Sequence, residues 1–179
     1  SSVYSIAQQN DSILWFGSRR NGVLAYNINT EKSLVVQFPT TDGLAANETF
    51  YVTKAEDMLF ATGNGVAAYS HEKDSVFLLD YVPKKATHAI LPDRNGHIWI
   101  TTNSGIISLD EDFNYRASFN RFSGMEVIEY SDGACFYDSP SNTIFFGGIN
   151  GFTVIKDNAH DRVIFNPELN ITNFIQNNT

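Results

Sequence analysis

The sequence predicts an all-β protein made of four β-propeller blades, each a four-stranded antiparallel meander, and three observations predict it. Four segments repeat, each an apolar run closed by a glycine turn: ILWFGSRRNGVLAY, MLFATGNGVAAY, HIWITTNSGIISL and TIFFGGINGFTVI. Their glycines, Gly22, Gly65, Gly105 and Gly151, stand 43, 40 and 46 residues apart, and a period of about 40 to 50 residues with four strands per unit belongs to propeller blades. The apolar runs are short, rich in β-branched and aromatic residues and bounded by turn formers, while helical periodicity is nowhere sustained.

The elements follow in order. In the first repeat Trp15 is the mid-strand aromatic before Gly22, Tyr26 is the large side chain four positions after it, and SLVVQF (Ser33 to Phe38) supplies the fourth strand. In the second, Phe60 takes the aromatic position, Tyr69 follows Gly65, and SVFLLDYV (Ser75 to Val82) ends the blade. The third is the clearest: THAIL (Thr87 to Leu91), a hairpin turn at Asp93-Arg94-Asn95-Gly96, HIWITT with Trp99, a turn at Asn103-Ser104-Gly105, then IISLD and YRASF. The fourth carries Phe145 and Gly151, and the chain then passes into DNAHDRVIFNPELNITNFIQNNT, read as a polar linker with short strands at Val163 to Phe165 and Leu169 to Ile175. The expected blades are therefore about 1–42, 43–83, 84–124 and 125–157, with 158–179 leaving the ring. Each glycine is expected at a turn needing φ > 0, where a side chain with a Cβ is strained.

Composition narrows the function. The 179 residues carry 12 basic and 20 acidic side chains, a formal charge of −8, and 42% hydrophobic residues, enough for a core. No run approaches the roughly 18 apolar residues of a membrane helix, and SSVYSIAQQND lacks the basic-then-apolar order of a signal peptide, so no membrane contact is expected of this segment. The acidic balance argues against nucleic acid, since the only basic doublets are Arg19-Arg20 and Lys84-Lys85. One cysteine, Cys135, leaves no internal disulfide framework and no multi-Cys zinc site.

Catalytic and metal motifs are weak. His71, His88, His97 and His160 fall in different contexts with no spacing that places two metal ligands on one element. Asp93-x-Asn95-Gly96 lacks the further ligands of a calcium loop and reads as a hairpin turn. Gly147-Gly148-Ile149-Asn150-Gly151 is glycine-rich but opens no helix that could cradle a phosphate. No catalytic residue, metal or cofactor is therefore assigned. Trp15 and Trp99 sit mid-strand as core residues, whereas Tyr51, Tyr130 and Phe122 fall outside the repeat pattern and are candidates for stacking on a ligand.

The segment GHIWITTNSGIISLD resembles the repeat of two-component regulator propellers, the extracytoplasmic sensor parts of hybrid two-component systems; SGMEVIEYSDGACFYDSPSNTIFFGGINGFTVI resembles that family's last blade, and FNPELNITNFIQNN its exit into an immunoglobulin-like domain. The resemblance implies a periplasmic, non-enzymatic sensor that binds an oligosaccharide, with histidine kinase and other parts elsewhere in a longer polypeptide. It also implies that the loops joining second to third strands share one face with the loops joining blades. That face would present Arg19, Arg20, Asn21, Asn64, Lys84, Lys85, Asn103 and Asn150, groups suited to sugar hydroxyls or to an acidic sugar. The asparagines are also plain turn formers. An open arc of four blades is expected to self-associate. A protein-binding propeller scaffold and a propeller lyase or glycosidase are the alternatives.

Overall fold

The structure, a computed structural model, describes residues 2–38, 47–55, 57–70, 72–127 and 129–156. The expected exit strands after 157, most of the expected blade-joining stretch Thr40 to Asn47, His71 and His160 lie outside the described residues.

Four antiparallel meanders succeed one another along the chain, forming a four-bladed propeller arc. Blade one holds β1 (Val3–Gln8), β2 (Ile13–Ser18), β3 (Val23–Asn27) and β4 (Lys32–Val36). Blade two holds β5 (Thr49–Lys54), β6 (Met58–Thr62), β7 (Gly65–Ser70) and β8 (Ser75–Leu78). Blade three holds β9 (Thr87–Pro92), β10 (Ile98–Thr102), β11 (Gly105–Leu109) and β12 (Tyr115–Phe119). Blade four has β13 (Tyr130–Asp138), β14 (Thr143–Gly148) and β15 (Gly151–Lys156), three strands among the described residues where four were expected. The innermost strands pack in sequence, β1 on β5, β5 on β9 and β9 on β13.

The core lies between blades, because each sheet is apolar on both faces and is covered only by its neighbours. Trp15, Val23, Val52, Met58 and Phe60 fill the gap between blades one and two. Leu59, Val66, Ile90, Ile100 and Leu109 fill the next, and Ala89, Trp99, Ile106, Ile144 and Phe146 the last. Both indoles keep their N–H satisfied at the rim: Trp15 Nε1 donates to Gln9 Oε1 at 2.8 Å and Trp99 Nε1 to Asp93 Oδ2 at 3.0 Å. The Asp93 carboxylate also accepts the backbone N–H groups of Asn95 and His97, which makes this segment a closed hairpin turn.

Register corrects one repeat position. In blade three Thr102 pairs with Gly105 and Trp99 with Ser108; in blade two Thr62 pairs with Gly65 and Leu59 with Ala68. Leu59, not Phe60, therefore occupies the position of Trp99. Phe60 points the opposite way, with its ring 5.3 Å from Trp15 and 5.6 Å from Phe38. The reason is the spacing to the glycine, one residue shorter in blade two than in blade three, and a one-residue shift exchanges the faces of a strand. Phe145 does occupy the Trp99 position, pairing with Val154 ahead of the Gly148–Gly151 pair.

Among the described residues, two apolar sheet faces have no blade against them. On blade one the cross-strand row Ile6, Phe16, Leu24 and Val35 faces away from blade two, and Ile6 and Val35 are 59% and 54% exposed. On blade four Phe136, Phe145 and Val154 form the outward row beside Phe152, with Phe136 and Phe152 62% and 66% exposed.

Candidate functional site

Turns between second and third strands meet the blade-joining loops at one end of the arc. The N–H of Gly22 donates to the Asn47 carbonyl at 2.8 Å, that of Gly63 to Glu48 at 3.0 Å, and that of Gly65 to Lys85 at 2.7 Å. At Gly105 the chain passes so close that a Cβ would stand 2.0 Å from the Phe119 carbonyl oxygen, and φ is +126°. Glycine here is required by the outer strand's approach as well as by the turn.

At this same end, the first strand of every blade slips its register. The irregularity falls between Val3 and Ser5, between Thr49 and Tyr51, at His88 between the partners of Thr102 and Thr101, and between Tyr130 and Cys135. A bulge re-aims the extra residue out of the alternating pattern. The residues so freed are Tyr4, Phe50, His88 and a blade-four stretch containing Asp132. Their side chains meet: the Tyr4 and Phe50 rings are 6.0 Å apart, Phe50 and His88 stack at 6.0 Å and 28°, and His88 Nδ1 lies 2.6 Å from Asp132 Oδ1. His88 Nε2 lies 2.6 Å from Asn103 Oδ1 in the turn of its own blade.

His88 is thus clamped on both ring nitrogens. Two arrangements satisfy the clamp: an imidazolium donating to both oxygens, or a neutral ring whose Nε2 accepts from the Asn103 amide turned over. The His88 side chain is 12% exposed and that of Asp132 46%, so the carboxylate is far more open to solvent than the imidazole.

The other sequence candidates spread around this cluster. Asn103 is in it. Arg19 pairs with Glu48 at 3.5 Å and, with Arg20, Asn21 and Ser2, borders a separate open hollow of about 330 Å³. Asn21 and Asn64 serve their turns through backbone N–H bonds to Ser18 Oγ and Thr62 Oγ1. Lys84, Lys85 and Asn150 are exposed. Among the expected stacking aromatics Phe122 is exposed, but Tyr130 is 3% exposed, its hydroxyl donating to the Val127 carbonyl. Tyr51 is part-buried against the core between blades two and three; burial, then a hydrogen bond with Cys135, pushes its hydroxyl far above the ordinary tyrosine value. Neither is a surface platform. Sequence reasoning missed Tyr4, Phe50, His88 and Asp132; the available signal was one residue too many for strict alternation in each first strand.

Among the described residues no group of three or more His, Cys, Asp or Glu side chains could hold a metal ion. No described helix is long and apolar enough to cross a membrane.

Residues 82–104, which include Lys84, Lys85, His88, Trp99 and Asn103, match the family model described as two component regulator propeller. The chain carries a two-component regulator propeller repeat. The chain is 22% identical, over 97% of its length, to histidine kinase P4 of Formosa agariphila, of which it spans 17%. It superposes with a TM-score of 0.74 and 24% identity on the extracellular domain assigned to the hybrid two component system BT3049 of B. thetaiotaomicron, covering 87% of this chain and 22% of that one. Streptogramin B lyase shares the fold at a TM-score of 0.60 and 19% identity, with 88% of this chain and 52% of the lyase covered. The arc therefore spans about a fifth of the histidine kinase and of the two component system domain named above.

Proposed function

We propose that this propeller arc belongs to the extracytoplasmic, periplasmic sensor part of a hybrid two-component histidine kinase, that it takes part in binding an oligosaccharide, and that it has no catalysis of its own. The observation that carries the reading is the convergence of one side chain per blade, Tyr4, Phe50, His88 and Asp132, at the end where turns and blade-joining loops meet. Aromatic faces beside a carboxylate and an amide suit a ring with apolar faces and hydroxyl edges. The propeller lyase relative keeps an enzyme reading in view, but His88 Nε2, the nitrogen a general base would use, is taken by Asn103.

Signal transfer requires that the ligand bind one arrangement of propeller and following domain more tightly than another. The exposed outer faces of blades one and four are proposed to be covered by further blades of a longer polypeptide, and in the isolated chain by a second copy. The test is a thermal-shift screen of neutral and acidic oligosaccharides against this chain and against a longer polypeptide with the complete ring. Ligand at ~100 times Kd adds ~2.7 kcal/mol of stability. A shift by one glycan class supports the sensor; no shift in either protein, with peptide binding or glycan cleavage instead, replaces it by a scaffold or an enzyme.

A further inference from the structure

We infer that the bulge cluster takes a neutral saccharide ring rather than an acidic one, with Asp132 and Asn103 holding two of its hydroxyls, Phe50 and Tyr4 carrying its apolar face, and His88 as the positioning residue. The inference rests on the saccharide reading above and departs from the sequence expectation, which placed the basic Arg19, Arg20, Lys84 and Lys85 at the site.

Three observations carry it. First, His88 spends both ring nitrogens on its neighbours, so it fixes them rather than presenting a free polar atom. Among the described residues Asp132 and Asn103 have no other hydrogen-bond partner, which leaves Asp132 Oδ2 and the second amide atom of Asn103 for a ligand. A hydroxyl both donates and accepts, so it satisfies Asn103 whichever amide atom faces outward, and donates to the carboxylate. Second, Tyr4 and Phe50 extend the imidazole into a row of rings across three blades, with Tyr4 43% exposed. Third, the charge at the cluster is the half-exposed Asp132 carboxylate, while Arg19 is tied to Glu48 at 3.5 Å. A uronate or sulfate within hydrogen-bond reach of Asp132 meets like charge, and among the described residues no Lys or Arg contacts Asp132 to offset it.

The test uses this chain with cellohexaose, xylohexaose and mannohexaose as neutral probes and with trigalacturonate and a sulfated chondroitin tetrasaccharide as acidic ones, read by titration calorimetry. The expected result is that a neutral probe binds, that Asp132→Ala and Asn103→Ala each weaken it about 10-fold or more, and that Phe50→Ala does the same. Asp132→Asn, which keeps the shape, is expected to narrow the preference for neutral over acidic probes. Arg19→Ala with Arg20→Ala tests the competing placement and is expected to leave Kd within about 2-fold. Equal unfolding midpoints guard against misfolded variants. Binding of acidic probes alone, or loss of binding in the arginine variant while Asp132→Ala, Asp132→Asn and Asn103→Ala bind as wild type, overturns this assignment and leaves the saccharide sensor standing. If no probe binds this chain, this inference falls, and the saccharide reading falls with it only if the longer polypeptide with the complete ring also binds none.

Discussion

The Thr87 hydroxyl, on the first strand of blade three, donates to the Gly65 carbonyl oxygen at 2.8 Å in the turn of blade two. It also accepts the Thr62 N–H at 3.0 Å, so one buried hydroxyl closes two backbone groups of the neighbouring blade. Thr87→Val keeps the shape and leaves the Thr62 N–H without its side-chain acceptor, while the Gly65 carbonyl keeps the bond from the Thr62 hydroxyl at 2.8 Å. The expected loss is about 1–3 kcal/mol in urea unfolding, with Thr87→Ser largely retained. An unchanged midpoint for Thr87→Val would show that the bridge adds nothing.

Asp93 gathers the hairpin around its carboxylate, accepting two backbone N–H groups and the Trp99 indole. Asp93→Ala is expected to destabilise by about 1–3 kcal/mol and to change Trp99 emission in the folded protein. Fluorescence during denaturation reads both.

Gly105 sits at φ +126° with a Cβ position 2.0 Å from the Phe119 carbonyl oxygen. Gly105→Val must push β12 away from the turn and is expected to abolish soluble folded protein, well beyond the roughly 1 kcal/mol of the conformation alone. Circular dichroism of the purified variant checks this.

Tyr69 donates to Asp74 Oδ1 at 2.6 Å, and that bond, before burial, raises its hydroxyl to about 12. A raised folded value means the neutral form is the one favoured. The bond's contribution is therefore whole below about pH 10, the free tyrosine value, and is lost as pH climbs through about 12. The tyrosinate absorbance titration is expected to lose one late-titrating tyrosine in Tyr69→Phe while Tyr51 still titrates late, and a variant that loses only an ordinarily titrating tyrosine would refute the assignment.

The outward faces of blades one and four expose Ile6, Val35, Phe136 and Phe152. The isolated chain is expected to associate through them, and Phe136→Glu with Phe152→Glu is expected to shift it toward monomer in sedimentation velocity. A wild-type chain that stays monomeric at all concentrations contradicts this.

Much of the fold was legible because it follows from local rules. Period-2 apolar runs, the Asp93–Gly96 hairpin and the repeating glycines are set within a few residues of chain, and the blade-three strands lie where the pattern places them. Function-bearing geometry was less legible. Asn103 was legible as a turn residue on the face expected to meet a ligand, but His88 and Asp132 are 44 residues apart and meet only because two blades stack and both first strands bulge.

What the sequence by itself determined, then, is the blade: strand, turn and repeat, each fixed by backbone propensity and side-chain alternation over short distances. Tertiary structure decided which face each side chain serves. It put Leu59 rather than Phe60 in the Trp99 position, turned Tyr51 and Tyr130 inward, and aimed Tyr4, Phe50, His88 and Asp132 toward one another. The physical reason is that a single extra or missing residue reverses the side of a strand, and only packing between blades selects where that residue is accommodated.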